Sequence, residues 1–410
     1  MQRKIFLILS LCIFLVTCIF DSTNQNIVPV DYTTQIKPRV ADPESPYIKV
    51  GLYASLTGSA SLLGQMGQMG IRLAVEELNT SGGINGKQIL LVEYDDQTNP
   101  DRAVSIVTKM IQEDHVDAII GSHTSGNIVC TAPLTEQAET LQIGLGTSYV
   151  WTNAGYKYLF RAAGNSKHYD DAIFTAIQER GFKKIALYYC STDYAEAGAK
   201  ALIERIQTEP SMNLVWVRSH DITQTDFKSD LFSLKASSAE AVILYATSEN
   251  AGIQLRQLRE EVGYRGVVYS PEAFASTAAR LEAGASANGL IYACTNTIPN
   301  SPQDALSPQE KDFLEKFIKM YGTMPTAETA YRGYDAMMLL AEVFRSAKSF
   351  QNDDLLQAML SITNYTGICG NYDFSDGSGD GIQGCKIIFL SGPSTIERVQ
   401  YYKCCSCSGY

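Results

Sequence analysis

Three short stretches hold residue types suited to gripping a small charged molecule. In GSHTSGN, Ser125 and Gly126 follow an apolar run and open a helical one. A serine at a helix start can accept from free backbone N–H groups, and those groups, with the helix dipole, favour a carboxylate. In VVYSPEAF, Glu272 follows another apolar run. A carboxylate carried into an interior needs a cation beside it, because an unpaired buried charge is costly. In GLGTSY, Thr147 and Ser148 place hydroxyls after a third run. Taken singly, such residues are more often a plain cap, a turn or a solvated surface charge. Their recurrence at successive strand ends points to binding.

Bond-making chemistry finds less support. SGGINGKQ has neither the spacing of a phosphate loop nor a Ser/Thr after its lysine. There is no HExxH and no GxSxG elbow. The four histidines, His115, His123, His168 and His220, are scattered without triad spacing. No CxxC pair has a histidine partner, so no zinc site is expected. Neither a catalytic residue nor a cofactor is assigned.

The elements that must position these residues alternate. IKVGLYASLTG reads as a strand, GIRLAVEELNTSGGINGK as a helix, QILLVEYDDQTNP as a strand, and DAIIGSHTSG as the end of a third βα unit. The second half repeats the grammar with KKIALYYC, LVWVRSHDI, EAVILYATS, RGVVYSPEAF and GLIYACTNT as strands between helices. Leu255, Leu258 and Val262 share one helical face. Such alternation predicts parallel, doubly wound α/β sheets, whose ligands bind outside the carboxyl ends of the strands. The chain then returns to helical text, and GNYDFS and CKIIFLSG read as C-terminal strands.

The 410 residues suffice for two or three domains. A net charge of −11 disfavours nucleic acid as partner. Gln2-Arg3-Lys4 followed by a short apolar run ending Leu15-Val16-Thr17-Cys18 reads as an export signal over residues 1–18. Its last four residues resemble a bacterial lipobox, with Thr17 a departure, so lipidation at Cys18 and a membrane anchor are expected. Residues 19–46 lack periodicity and read as a flexible tether. Of ten cysteines, Cys369 and Cys385 flank a turn-rich stretch and are candidate cross-strand neighbours; three more crowd the Cys-rich tail, 403–410.

The order SGGINGK…VEYDD, GSHTSG, YLFRAAGN, DYAEAG, SPE, YDA resembles the type I periplasmic solute-binding proteins, in particular the branched-chain amino-acid-binding family, over about residues 47 to 400. The resemblance implies two lobes joined by three crossovers: residues 47–164 with 297–367, and 165–296 with 368–402. It implies that Ser125 and Gly126 hold a ligand carboxylate. It gives the Leu145 carbonyl and Glu272 to the ligand's ammonium, sets the hydroxyl of Thr147, or of Ser148 in its place, against the zwitterion, and turns Tyr194 toward the cleft. Leu63, and Thr247 or Ser248, stand where the family carries aromatic residues, so the resemblance implies that side-chain contacts differ while the clamp on the zwitterion is kept. The implied function is non-enzymatic capture of an amino acid, branched-chain or other, and its delivery to an ABC permease from a periplasmic or cell-surface position. A urea, amide or aromatic-acid ligand, or a sensing role, is the alternative.

Overall fold

The structure, a computed structural model, describes residues 36–402. The export segment with Cys18, the tether up to residue 35 and the tail from 403 lie outside the described residues. No helix of the described residues is long and apolar enough to cross a membrane.

The first lobe opens with β1 (Tyr47–Ala54), α1 (Ser61–Thr80), β2 (Gln88–Asp95), α2 (Pro100–Lys109), β3 (Ala118–Ile120), α3 (Ser125–Gln137), β4 (Gln142–Gly144) and β5 (Leu159–Arg161). Its strands form one parallel sheet in the order β2-β1-β3-β4-β5. Alternation along β1 decides the faces. Ile48, Val50 and Leu52 pack with α1, whereas Tyr53 joins Ala103 and Val107 of α2 on the other side.

The second lobe follows as α4 (Ser166–Glu179), β6 (Lys184–Cys190), α5 (Asp193–Thr208), β7 (Asn213–His220), α6 (Lys228–Ala236), β8 (Ala241–Tyr245), α7 (Ala251–Arg256), β9 (Val267–Ser270), α8 (Thr277–Ala283) and β10 (Leu290–Cys294). Asn165 caps α4 through Lys167 N at 2.9 Å, and Thr192 caps α5 through Ala195 N at 3.3 Å. The chain then re-enters the first lobe as α9 (Pro308–Tyr321), α10 (Thr329–Ser346) and α11 (Asn352–Leu360), followed by the short hairpin of β11 (Tyr365–Thr366) and β12 (Asn371–Tyr372). It ends as β13 (Cys385–Gly392) and β14 (Thr395–Tyr402), which add two antiparallel strands to the second sheet, order β14-β13-β10-β9-β8-β6-β7. The expected parallel lobes are thus present, with an antiparallel edge on one of them.

Glycine sets the approach of α10 to α1. A Cβ at Gly70 would collide with the Ala330 carbonyl, and one at Gly333 with the Gly67 carbonyl. This contact fixes the helix that carries Glu328 and Arg332 against the first sheet.

Three expectations are corrected. The tether does not extend to residue 46: Ile36 is buried beside Val107, and Arg39 pairs with Asp117 at 2.8 Å and with Asn352 at 3.0 Å. Residues 368–382 do not belong to the second lobe, because Ile368, Cys369, Tyr372, Phe374 and Ile382 pack in the first lobe's core. Asp335 anchors them, accepting from Ile368 N, Cys369 N and Tyr372 Oη. Consequently Cys369 and Cys385 are not cross-strand neighbours. The turn-rich stretch between them passes from one lobe to the other, and Cys385 pairs in register with Tyr402.

Candidate functional site

The loops at the carboxyl ends of the two sheets meet. From the first lobe come the segments after β3 (Ser122–Ser125) and β4 (Leu145–Ser148); from the second come those after β6, β8 and β9. In lobe one, Asp96 ties the strand ends together, accepting from Ser55 Oγ at 2.6 Å and Ser122 Oγ at 2.9 Å. Arg161 holds the β4 loop by donating to the carbonyls of Gly146 at 2.9 Å and Ser148 at 2.8 Å.

Ser125 is the first residue of α3 rather than its cap, because the extended backbone belongs to Thr124. Its buried hydroxyl accepts from Ser148 N at 3.3 Å. Gly126 lets the Asp193 carboxylate at the start of α5 come close, since a Cβ there would push that side chain aside. The α3 N-terminus therefore faces the opposite lobe at close range.

Thr147 and Glu272 are brought together: the threonine hydroxyl donates to Glu272 Oε1 across the two lobes. A cation completes the group, and it belongs to the protein. Arg332 Nη2 lies 2.5 Å from Glu272 Oε2 and 3.1 Å from Glu328 Oε1, and Nη1 lies 3.2 Å from the Leu145 carbonyl. The guanidinium thus contacts Leu145 and Glu272, two of the groups that the resemblance gives to a ligand ammonium, and it is fully enclosed. Burial pushes the Glu328 carboxyl upward, and the charge of Glu272 adds to the push. Burial keeps His123 neutral by lowering its pKa.

Tyr194 packs edge-on to Tyr245 with ring centroids 5.1 Å apart. Both hydroxyls are buried, that of Tyr245 beside the Tyr194 hydroxyl and the Asp170 carboxyl. Burial and the charges of Glu272 and Asp170 raise both phenols. Thr247 is half-buried and turns the chain into α7, its carbonyl accepting from Ala251 N at 3.0 Å. Leu63 is half-buried on α1, and its carbonyl accepts from Thr329 Oγ1 at 2.8 Å. Neither Leu63 nor Thr247 is hydrogen-bonded to Glu272, whose partners among the described residues are Thr147 and Arg332. Trp151 is core, stacked 3.8 Å from the Arg161 guanidinium.

Sequence reading missed Arg332, Glu328, Asp170 and Glu249. A signal existed for the first pair: Glu328 and Arg332 are spaced i, i+4 in ETAYRGYDAMMLL, where the surrounding residues are almost all apolar or small. Charges on the buried stripe of a helix call for a reason.

The sequence profile of the family described as "Periplasmic binding protein" matches residues 47–389. The Leu/Ile/Val-binding protein homolog 7 of Brucella abortus (strain 2308) is 26% identical over 341 residues, covering 78% of this chain and 83% of that protein. The leucine-, isoleucine-, valine-, threonine-, and alanine-binding protein of Pseudomonas aeruginosa is 25% identical, covering 80% and 86%. Among solved structures, the branched-chain amino acid transporter substrate binding protein LivJ of Streptococcus pneumoniae, in complex with isoleucine, superimposes with a TM-score of 0.77 at 24% identity, over 87% of this chain and all (100%) of that one. These relatives are ligand binders rather than enzymes. The chain belongs to the periplasmic binding protein family, with the type I fold of its branched-chain amino-acid binders.

Proposed function

We propose that this protein is the extracytoplasmic solute-binding component of an ABC importer and captures an amino acid between its lobes for delivery to a membrane permease. The observation that carries the reading is the meeting of Thr147 and Glu272 from opposite lobes, beside a helix start at Ser125 and Gly126. The α3 N–H groups suit the ligand carboxylate. Ligand bound there touches both lobes at once, so it favours the closed arrangement through its differential affinity for it. The names of the relatives support an amino acid, and the basic, apolar N-terminal segment supports export with lipidation at Cys18.

A ligand lacking an ammonium, such as an aromatic acid or an amide, is the second reading. Arg332 favours it, because Glu272 already has a cation. A thermal-shift screen against the twenty amino acids and a set of small organic acids and amides tests both. A ligand that binds only the folded form raises the melting temperature. A rise with amino acids supports the first reading; a rise confined to acids or amides replaces it with the second.

A further inference from the structure

The charges around Arg332 do not balance. Glu272, Glu328, Asp170 and Glu249 lie around or beside the lobe junction, against one guanidinium. Arg332 is used on Glu272 and Glu328. Asp170, on the first turns of α4, is 5% exposed and forms no ion pair among the described residues; the Tyr245 hydroxyl lies beside it, and the nearby Arg205 is paired to Asp171 instead. Glu249, in the loop after β8, has both oxygens buried beside the Thr247 hydroxyl and likewise forms no ion pair among those residues, and Glu328 Oε2 is buried there without a partner. Tyr194 packs on Tyr245, and the charge of Glu272 acts on both of them and on Asp170. Charge from Glu249 likewise reaches Glu328.

Buried carboxylates are paired, metal-bound or protonated. Among the described residues no group of three or more His, Cys, Asp or Glu is placed to hold a metal ion. Burial pushes Asp170 up to about 8, so that it rests protonated near neutral pH, and Glu249 up to about 6, so that it stays largely ionised there. A structure with no role for these acids would use apolar residues of similar size at lower cost. An organic cation supplied from outside satisfies them.

This argument rests on the reading of the cleft as an amino-acid site and narrows it. We infer that the amino acid captured is a basic one, whose side-chain ammonium or guanidinium seats on Asp170 between the hydroxyls of Tyr194 and Tyr245. A zwitterion with an apolar side chain brings no net charge to an acidic site, whereas a basic amino acid brings one positive charge. Tyrosine faces beside the cation add an attractive surface.

Titration calorimetry with L-lysine, L-arginine, L-leucine and L-norleucine decides it, norleucine being lysine's near-isostere without the side-chain ammonium. Wild type should bind lysine or arginine at least about tenfold more tightly than norleucine, the size of one charged hydrogen bond or more. Asp170→Asn should lower the lysine-to-norleucine preference at least about tenfold, and Glu249→Gln gives an independent second variant should the first fold poorly. Leucine or norleucine binding as tightly as lysine overturns the inference but leaves the amino-acid reading standing. So does an unchanged preference in both folded variants. Failure of all four ligands with folded wild type overturns the amino-acid reading, and the inference with it.

Discussion

Arg161 and Arg332 are both enclosed arginines paired to a carboxylate, and they differ in how completely they are satisfied. Arg161 donates from Nε to Asp380 at 2.5 Å, from Nη1 to the Gly146 carbonyl, and from Nη2 to Ser148 O and Thr152 Oγ1. Asp380 in turn accepts from Thr152 at 3.0 Å and Asn165 at 2.7 Å, and Trp151 covers the guanidinium face. Around Arg332, Nε has no partner among the described residues, nor does Glu328 Oε2. A closed polar network rigidifies its surroundings, whereas a partly satisfied one is costly unless something completes it. The first pair is scaffold that aims the β4 loop. The second is the part of the molecule that a ligand would finish.

The largest effect should come from breaking the scaffold pair. Removing one partner of a buried, fully bonded ion pair costs about 3–5 kcal/mol, so Arg161→Ala should lower stability by that amount in urea denaturation. Arg332→Met should cost less, about 1–3 kcal/mol, the range for leaving buried polar groups unsatisfied, because Glu328 can take up a proton in place of its partner. Equal losses in the two variants would erase the distinction between scaffold and site.

Gly70→Ala sharpens the comparison by acting on one arginine alone. The added methyl meets the Ala330 backbone and must displace α10, which carries Arg332 but not Arg161. Overpacking of this kind costs about 1–3 kcal/mol. Ligand affinity should fall beyond what the stability loss explains, since the guanidinium moves off Glu272; unaltered affinity measured on the folded variant would count against this placement.

One stability effect is a gain. Asp170 has its folded pKa raised to about 8, above the ordinary aspartate value, so between roughly pH 4 and pH 8 the folded state holds a proton that the unfolded chain has lost. Folding therefore weakens as pH rises through that window. Asp170→Asn removes the dependence. Its melting temperature without ligand should exceed that of wild type most at pH 8, and the difference should shrink toward pH 4. A pH-independent difference would mean that Asp170 is not the titrating group.

The fold was legible because its signals are local. β-branched runs such as AVILY, punctuated by Ser, Thr and Gly, give strands, and caps such as Asn165 and Thr192 begin helices where the polar residues stand. Residues 368–382 were misassigned because their place depends on Asp335, some thirty residues upstream, which captures their backbone N–H groups. No local pattern encodes that. The site was legible on one side. Thr147 and Glu272 sit at strand ends, where position alone suggests exposure to a cleft, and the structure joins them. Arg332 and Asp170 lie inside helices, and a charge within a helix reads as surface until its burial is known. Asp170-Asp171 shows this directly, with one carboxylate buried and its neighbour paired to Arg205.

The central claim is that both lobes grip one amino acid through the group built on Glu272. Calorimetric affinity of wild type and Glu272→Ala, for the amino acid that most raises the melting temperature, tests it most directly. Charged hydrogen bonds contribute about 1.5–3 kcal/mol, so the variant should bind about tenfold to a hundredfold more weakly while remaining folded. Unchanged affinity in the folded variant would contradict the account.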